Sequence, residues 1–373
     1  MKPTVRPCIL IDCSFITVRL SCVSSHYLYA GMLLRGFRAY SPFRVVALVV
    51  EGMEEYVDEL AGGQSVEKIV ISASAKVLSK KLDRLLGLVP FRKALEQQHV
   101  DAVITPYTTP FVYVYPKQFR QHAIIHDLIA YHQGLGWPRT LMMKCVARRV
   151  PRLIAISEHT KDEVRKAFGR EAAVVYNSIP MCVDNSEQPV ADVDGRAFIL
   201  DVNRFERYKN AETLVRALHR IREQIPHMLY LKGYNSVSSD MNYLRQLIHA
   251  LDMDDRVILD SSHRTEAEMR WLYSHASLFV TPSLEEGFGY TPIEAAILKT
   301  PVLVSDIATL REVTQGRVPT FNPHDAEELA SKMLNILTSP PSIGEREAIA
   351  AFYIDEYSLQ KQIARFQEVL LSR

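Results

Sequence analysis

Two short runs in the second half of this 373-residue chain carry side chains suited to one task. The first is Leu278-Phe-Val-Thr-Pro-Ser-Leu-Glu-Glu286-Gly287-Phe288-Gly289-Tyr290-Thr291-Pro-Ile-Glu294, a strand-like stretch that enters a glycine-flanked loop and then a helix. Gly287 and Gly289 let the backbone pass close to a ligand with no Cβ in the way. Thr291 suits an N-cap and Pro292 the first helical position, so the helix start offers free N–H groups and a positive dipole end. Glu286 and Glu294 flank this loop with seven residues between them. Acceptor-only carboxylates around a close-approach backbone suit a ligand rich in vicinal hydroxyls. Thr291-Pro-Ile-Glu294 also matches a capping box, in which Glu294 only closes the helix end.

The second run is Asp201-Val-Asn-Arg204-Phe-Glu-Arg207-Tyr-Lys209-Asn210. Arg204, Arg207 and Lys209 crowd one loop between a strand and a helix. A solvated basic turn has this look. At the carboxyl end of a strand it also makes a phosphate site, with Arg as a planar fork and Lys as a point charge.

The elements that must position these runs follow from periodicity. Short Ile- and Val-rich stretches predict buried parallel strands at Cys8–Asp12, Val45–Val50, Lys68–Ile71, Ala102–Thr105, Ala123–His126, Leu153–Ser157 and Val174–Tyr176. Helical segments lie between them, one of them Ser157–Phe168, with Ser157 as N-cap and Gly169 as the stop. Residues 184–196 are polar, acidic and aperiodic, which predicts a linker. The alternation then restarts at Phe198–Val202, Met228–Leu231, Val257–Leu259, Leu278–Thr281 and Val302–Ser305, with an amphipathic helix over Ala211–Ile225 and another over Tyr357–Leu371. The expected fold is α/β, with two doubly wound Rossmann-like domains: 1–183, then the linker 184–196, then 197–352. In such sheets ligands bind beyond the carboxyl ends of the strands, where both runs fall.

Net charge is +1, so no global field selects nucleic acid, and no nucleic-acid partner is expected. The five cysteines are odd in number and lack CxxC spacing, which argues against a disulfide framework or structural zinc and fits a reducing cytoplasm. The N-terminal apolar run is too short for a signal peptide, and no stretch approaches the roughly 18 apolar residues of a membrane helix. Trp137–Arg152 is basic and amphipathic, which allows peripheral contact with the inner face of a membrane and equally describes a domain helix with a solvated face. Asp192-Val-Asp194 has the D-x-D form of metal-dependent transferases but falls in the linker. No G-x-G-x-x-G follows Cys8–Asp12 or Phe198–Val202, so a nicotinamide oxidoreductase is not indicated.

The Arg204…Lys209 pair and the Glu286-Gly-Phe-Gly-Tyr-Thr-Pro-Ile-Glu294 run resemble glycosyltransferase family 4 (group 1, retaining, GT-B fold). Further similarity lies in His126-Asp127-Leu128, Ile154-Ala-Ile-Ser157-Glu-His-Thr-Lys161, Val175-Tyr-Asn-Ser and Thr300-Pro-Val302. The resemblance implies two Rossmann-like domains facing a central cleft, with residues 353–373 as a C-terminal helix crossing back to the N-domain. It implies transfer of a hexosyl-type sugar, with retention, from a nucleoside-diphosphate sugar to a sugar or lipid-linked glycan acceptor. A role in surface polysaccharide or lipid-linked glycan synthesis would follow. Arg204 and Lys209 would bind the diphosphate. Glu286 and Gly287–Gly289, with Phe288, Tyr290 and Thr291, would meet the donor sugar, and Glu294 the ribose. His126, Arg204, Lys209 and Glu286 would be catalytic, while Ser24, Ser25, His126 and Asp127 would lie on the acceptor side. No metal or other cofactor is implied, because a cationic pair can neutralise a leaving diphosphate. The sequence departs from the family at Val23-Ser-Ser-His-Tyr27, where glycine is usual, at Lys299, and at Leu359, where tryptophan is common. A sugar-nucleotide epimerase and a catalytically silent binding subunit on the same scaffold are the alternatives.

Overall fold

The computed structural model describes residues 6–19, 25–71, 94–107, 115, 118–132, 137–179, 186–233 and 238–372. Ser24, Cys22 and Cys182 lie outside them. The chain divides into two compact units, Met1–Ser178 with Leu359–Arg373, and Ile179–Ser358.

In unit 1 the elements are β1 (Cys8–Asp12), α1 (Ser25–Tyr40), β2 (Arg44–Val50), α2 (Glu54–Leu60), β3 (Glu67–Ile71), β4 (Val100–Thr105), β5 (Arg120–Ile125), α3 (Ile129–His132), α4 (Trp137–Arg149), β6 (Arg152–Ala155), α5 (Glu158–Phe168) and β7 (Ala172–Val174). The sheet order is β3-β2-β1-β4-β5-β6-β7, with every ladder parallel. All of β1 and nearly all of β2 are buried. Coverage of both sheet faces is why these strands read as continuous apolar runs. Ser157 caps α5 as expected, its side chain accepting from Thr160 N, and Gly169 ends the helix in the left-handed conformation.

Unit 2 repeats the scheme with β8 (Phe198–Val202), a 3-10 turn (Arg207–Lys209), α6 (Ala211–Ile221), β9 (Met228–Lys232), α7 (Ser238–Ala250), β10 (Val257–Asp260), α8 (Glu266–His275), β11 (Leu278–Thr281), α9 (Tyr290–Ile297), β12 (Val302–Ser305), α10 (Ala308–Thr314), β13 (Thr320–Phe321), α11 (Ala326–Thr338) and α12 (Ile343–Glu356). Its parallel order is β10-β9-β8-β11-β12-β13. Leu214, Leu218 and Ile221 of α6 are buried in the core with Leu229, Leu278 and Val280. Each such side chain contributes about 1.5–3 kcal/mol. Helix α6 stops four residues earlier than its periodicity predicts, yet Ile225 remains in the same core.

Two boundaries differ from expectation. The described part of the predicted linker, 186–196, packs on unit 2. Val190 and Val193 are fully buried, Gln188 N donates to Ala267 O, and Arg264 donates to Asp192 at 2.8 Å. Two valines three apart are enough to pin a polar run. At the other end, residues 353–357 belong to unit 2, because the Tyr353 and Tyr357 hydroxyls donate to Thr314 O and Val313 O. The return to unit 1 starts at α13 (Leu359–Leu371). Ile363 and Phe366 bury against α1, where a Cβ on Gly36 would sit 2.8 Å from Ile363 Cγ1. The last carbonyls of α13 are satisfied by Arg152 to Val369 O at 2.8 Å and Arg120 to Leu370 O at 3.1 Å. Cations there also suit the negative helix end.

Candidate active site

In unit 2 the strand order reverses between β8 and β11, the point where doubly wound sheets bind ligands. The loops after these two strands are the two chemistry-bearing runs. Lys209 Nζ lies 2.6 Å from Glu286 Oε1, and both side chains are 11% exposed. Ser283 Oγ donates to the same oxygen at 2.8 Å, and Thr309 Oγ1 donates to Glu286 O at 2.9 Å. Asn210, in the left-handed region at φ 58°, ties the loops together through Nδ2 to Pro282 O and Pro323 O. Asp201 is buried at the end of β8 with Asn203 Nδ2 at 2.6 Å. Burial pushes its carboxyl up to about 7, against the opposing effects of Asn203 and Lys209.

Arg204 is half exposed and pairs with Glu206 at 2.7 Å. Arg207 turns away from this cluster: its guanidinium lies 3.8 Å from the Tyr243 ring centroid and 3.6 Å from Asp240. The three cations of the loop therefore have three different settings, and only Lys209 is held against Glu286.

The start of the following helix corrects the sequence reading. Gly289 is the N-cap, at φ 92°, and α9 begins at Tyr290. Thr291 is the second helical residue and does not cap the helix. Glu294 closes no capping box; its Oε2 accepts from Tyr273 OH at 2.8 Å. The left-handed glycine turns the chain into the helix two residues early, and a Cβ on it would lie 2.6 Å from Leu310 Cδ2. Enclosure raises the Glu294 carboxyl above its ordinary range, with desolvation outweighing the Tyr273 bond. Phe288 is buried, its ring 5.2 Å from Tyr290 and 5.5 Å from Tyr357.

In unit 1, His126 immediately follows β5, and its Nε2 bonds Pro106 O at 2.8 Å. A carbonyl can only accept, so Nε2 carries the proton and Nδ1 is the acceptor nitrogen. Burial lowers the His126 pKa, which keeps the ring neutral near pH 7. Asp127 Oδ1 accepts from Ile129 N at 3.1 Å, a local turn that opens α3. Ser25 is the first residue of α1. The basic stretch is α4, whose Met143, Val146 and Ala147 are buried in a unit 1 core while Leu141 and Arg148 stay exposed. Among the described residues no helix is long and apolar enough to cross a membrane.

Sequence reading missed Asp201, Ser283 and Tyr273 as neighbours of the two glutamates. Ser283 stood within the quoted motif, and a hydroxyl three residues before Glu286 was its signal. Tyr273 lies 21 positions from Glu294 and gave none.

Two parallel doubly wound units, with a basic and a carboxylate loop paired at a switch point, define the GT-B architecture. The chain superposes on the crystal structure of Anabaena Alr3699/HepE in complex with UDP and glucose with TM-score 0.72 at 14% identity, over 98% of this chain and 100% of that one. Residues 183–351 match the family Glycosyl transferases group 1. Those residues, somewhat under half of the chain, form a group 1 domain, so the chain carries a glycosyltransferase domain. Over 246 residues it is 26% identical to the O-antigen chain mannosyltransferase RfbU of Salmonella typhimurium (strain LT2), spanning 64% of this chain and 67% of that protein. Over 253 residues it is 29% identical to the serotype-specific mannosyltransferase WbdA of Escherichia coli, spanning 61% of this chain but only 30% of that protein.

Proposed function

We propose that the protein moves a hexosyl-type sugar, mannosyl in the first instance, from a nucleoside-diphosphate sugar to a glycan hydroxyl, with retention, in surface polysaccharide synthesis. The Lys209–Glu286 ion pair at the β8/β11 switch point carries this reading. Glu286 holds the ammonium group that would neutralise a donor phosphate. An arriving diphosphate takes over Lys209, with Arg204 released from its partner Glu206, and Glu286 is then free to accept from sugar hydroxyls. Phe288 and the backbone around Gly287 and Gly289 shape the sugar pocket. Tyr290 and Thr291 head α9, whose N-terminal dipole favours the charge that grows on the leaving diphosphate. Glu294, oriented by Tyr273, takes the ribose. Neutral His126, with Asp127, Ser24 and Ser25, serves the acceptor side, and the leaving phosphate accepts the acceptor's proton.

Lys209 and Arg204 do the work of a divalent ion, so transfer runs in EDTA. Peripheral contact with an anionic membrane through Leu141 and Arg148 belongs to this reading, and vesicle co-sedimentation tests it. The decisive measurement is a thermal-shift screen of UDP, GDP, ADP, dTDP and their sugars against wild type and Lys209→Ala. One nucleotide should stabilise the wild type, and the variant should bind it 10- to 100-fold more weakly, the worth of about 1.5–3 kcal/mol for a charged hydrogen bond. Equal binding by both proteins would remove the donor assignment. NMR of the product anomer tests retention.

A further inference from the structure

The carboxyl edge of the unit 1 sheet carries a row of rings. Phe15 follows β1, His26 lies in the first turn of α1, Tyr107 follows β4 and His126 follows β5. Ring centroids step 5.7 Å from Phe15 to Tyr107, 4.4 Å on to His26 and 5.4 Å on to His126. Successive planes are inclined by 43°, 35° and 56°, so the rings overlap in a staggered row. All four are partly exposed. The row lies where the strand order reverses between β1 and β4, the ligand-binding point of a doubly wound sheet.

A buried second layer backs this row. Tyr27 meets Phe15 edge-on at 5.8 Å, and Tyr29 meets His126 edge-on at 4.8 Å. The Tyr27 hydroxyl accepts from Thr17 N at 3.4 Å. The Tyr29 hydroxyl accepts from Gln362 Nε2 at 3.4 Å, and Gln362 Oε1 accepts from Ser178 Oγ at 2.8 Å, with both partners buried. Helix α13 thus anchors the footing of the row, and rings held from behind keep their geometry before a ligand arrives.

Flat apolar faces with phenol and imidazole groups at their rims match a pyranose, which has one C–H-rich face and a rim of hydroxyls. An acyl chain would gain nothing from the polar rims. We propose that Phe15, Tyr107, His26 and His126 form a shelf that stacks successive pyranose rings of an oligosaccharide acceptor, so that the enzyme extends an existing glycan. The inference rests on the transfer reading above and deepens it by naming the acceptor class.

Isothermal titration of the full chain with methyl α-mannoside and its α-linked di- and trisaccharide tests the shelf. Affinity of the wild type should rise about fivefold per added ring, the equivalent of about 1 kcal/mol per stacked face. Tyr107→Ala should flatten that dependence and Tyr107→Phe should retain it. Phe15→Ala, at the far end of the row, should weaken the trisaccharide most. Affinity independent of ring number, no binding of any of the three sugars, or length dependence that survives both alanine variants would overturn the shelf. A Lys209-dependent nucleotide shift alongside any of those results would leave the transfer reading standing. Length-dependent mannoside binding with no nucleotide shift would reject the transfer reading instead.

Discussion

Lys209 and Glu286 stand 2.6 Å apart in an enclosed setting, and each is the other's main charge partner. Removing one leaves the other enclosed and uncompensated, a penalty of up to about 3 kcal/mol. Lys209→Ala should therefore be less stable in urea than the double variant with Glu286→Gln. The opposite order would mean that the pair contributes nothing to the fold. Asp201 makes a pH prediction. Its carboxyl sits near 7 in the fold against an ordinary 3.8, so the stability it contributes is full below pH 3.8 and is lost as pH rises through 7. Asp201→Asn escapes that loss. The stability gap between variant and wild type should widen from pH 4 to pH 7, level off above, and reach about 4 kcal/mol. A gap that stays constant from pH 4 to pH 8 would rule out a buried neutral acid. The carboxylates of the E-x7-E spacing were legible as a pair in sequence. Ser283, three residues before Glu286, was within local reach, but Tyr273 and Lys209 were not legible as partners because they reach the glutamates only when distant segments pack together.

At the scale of elements, Gly289 decides where α9 begins. Its positive φ strains any residue with a Cβ, and that Cβ would press on the Leu310 side chain. Gly289→Ala should cost about 2–4 kcal/mol from strain and overpacking together, and should weaken nucleotide binding by tilting the head of the helix. A variant with wild-type melting and binding would show that the turn is not constrained. Helix α13 depends on Arg120 and Arg152 at its C-terminal carbonyls. Fully buried His122 lies near both guanidinium groups, and burial together with these charges pushes its pKa down to about 4 from 6.5. Its neutral form contributes stability that is complete above pH 6.5 and is lost as pH falls through 4. His122→Leu should flatten the acid limb of the unfolding profile between those values, a change of about 3 kcal/mol at full extent. Strand positions and the α5 caps were legible because period and cap chemistry are local. The α9 start was misplaced because Thr-Pro-Ile-Glu is a good local cap that a left-handed glycine pre-empts.

For the whole molecule, the chain leaves unit 1 at Ser178 and returns at Leu359. The crossing segments are tied within unit 2 by Ile179 N to Tyr357 O at 3.0 Å. Truncation after Ser358 would strip α13 from α1, exposing the Phe37 face that Phe366 covers. We expect unit 1 of the truncated chain to lose its cooperative transition while unit 2 keeps its own. Circular dichroism that shows one unchanged transition would contradict this. Arg204 and Lys209 are offered in place of a metal, so activity should survive millimolar EDTA; loss that Mg²⁺ restores would overturn that assignment.

The amino-acid sequence alone determined the parallel α/β scheme and the two switch-point loops with their cations and carboxylates. Those depend on apolar period and on residue types at strand ends, which are local properties. Tertiary structure decided which of three neighbouring cations meets Glu286, where each unit ends, and that rings from four separate segments form one row. Each of these is set by which strands lie side by side, and no spacing along the chain encodes that.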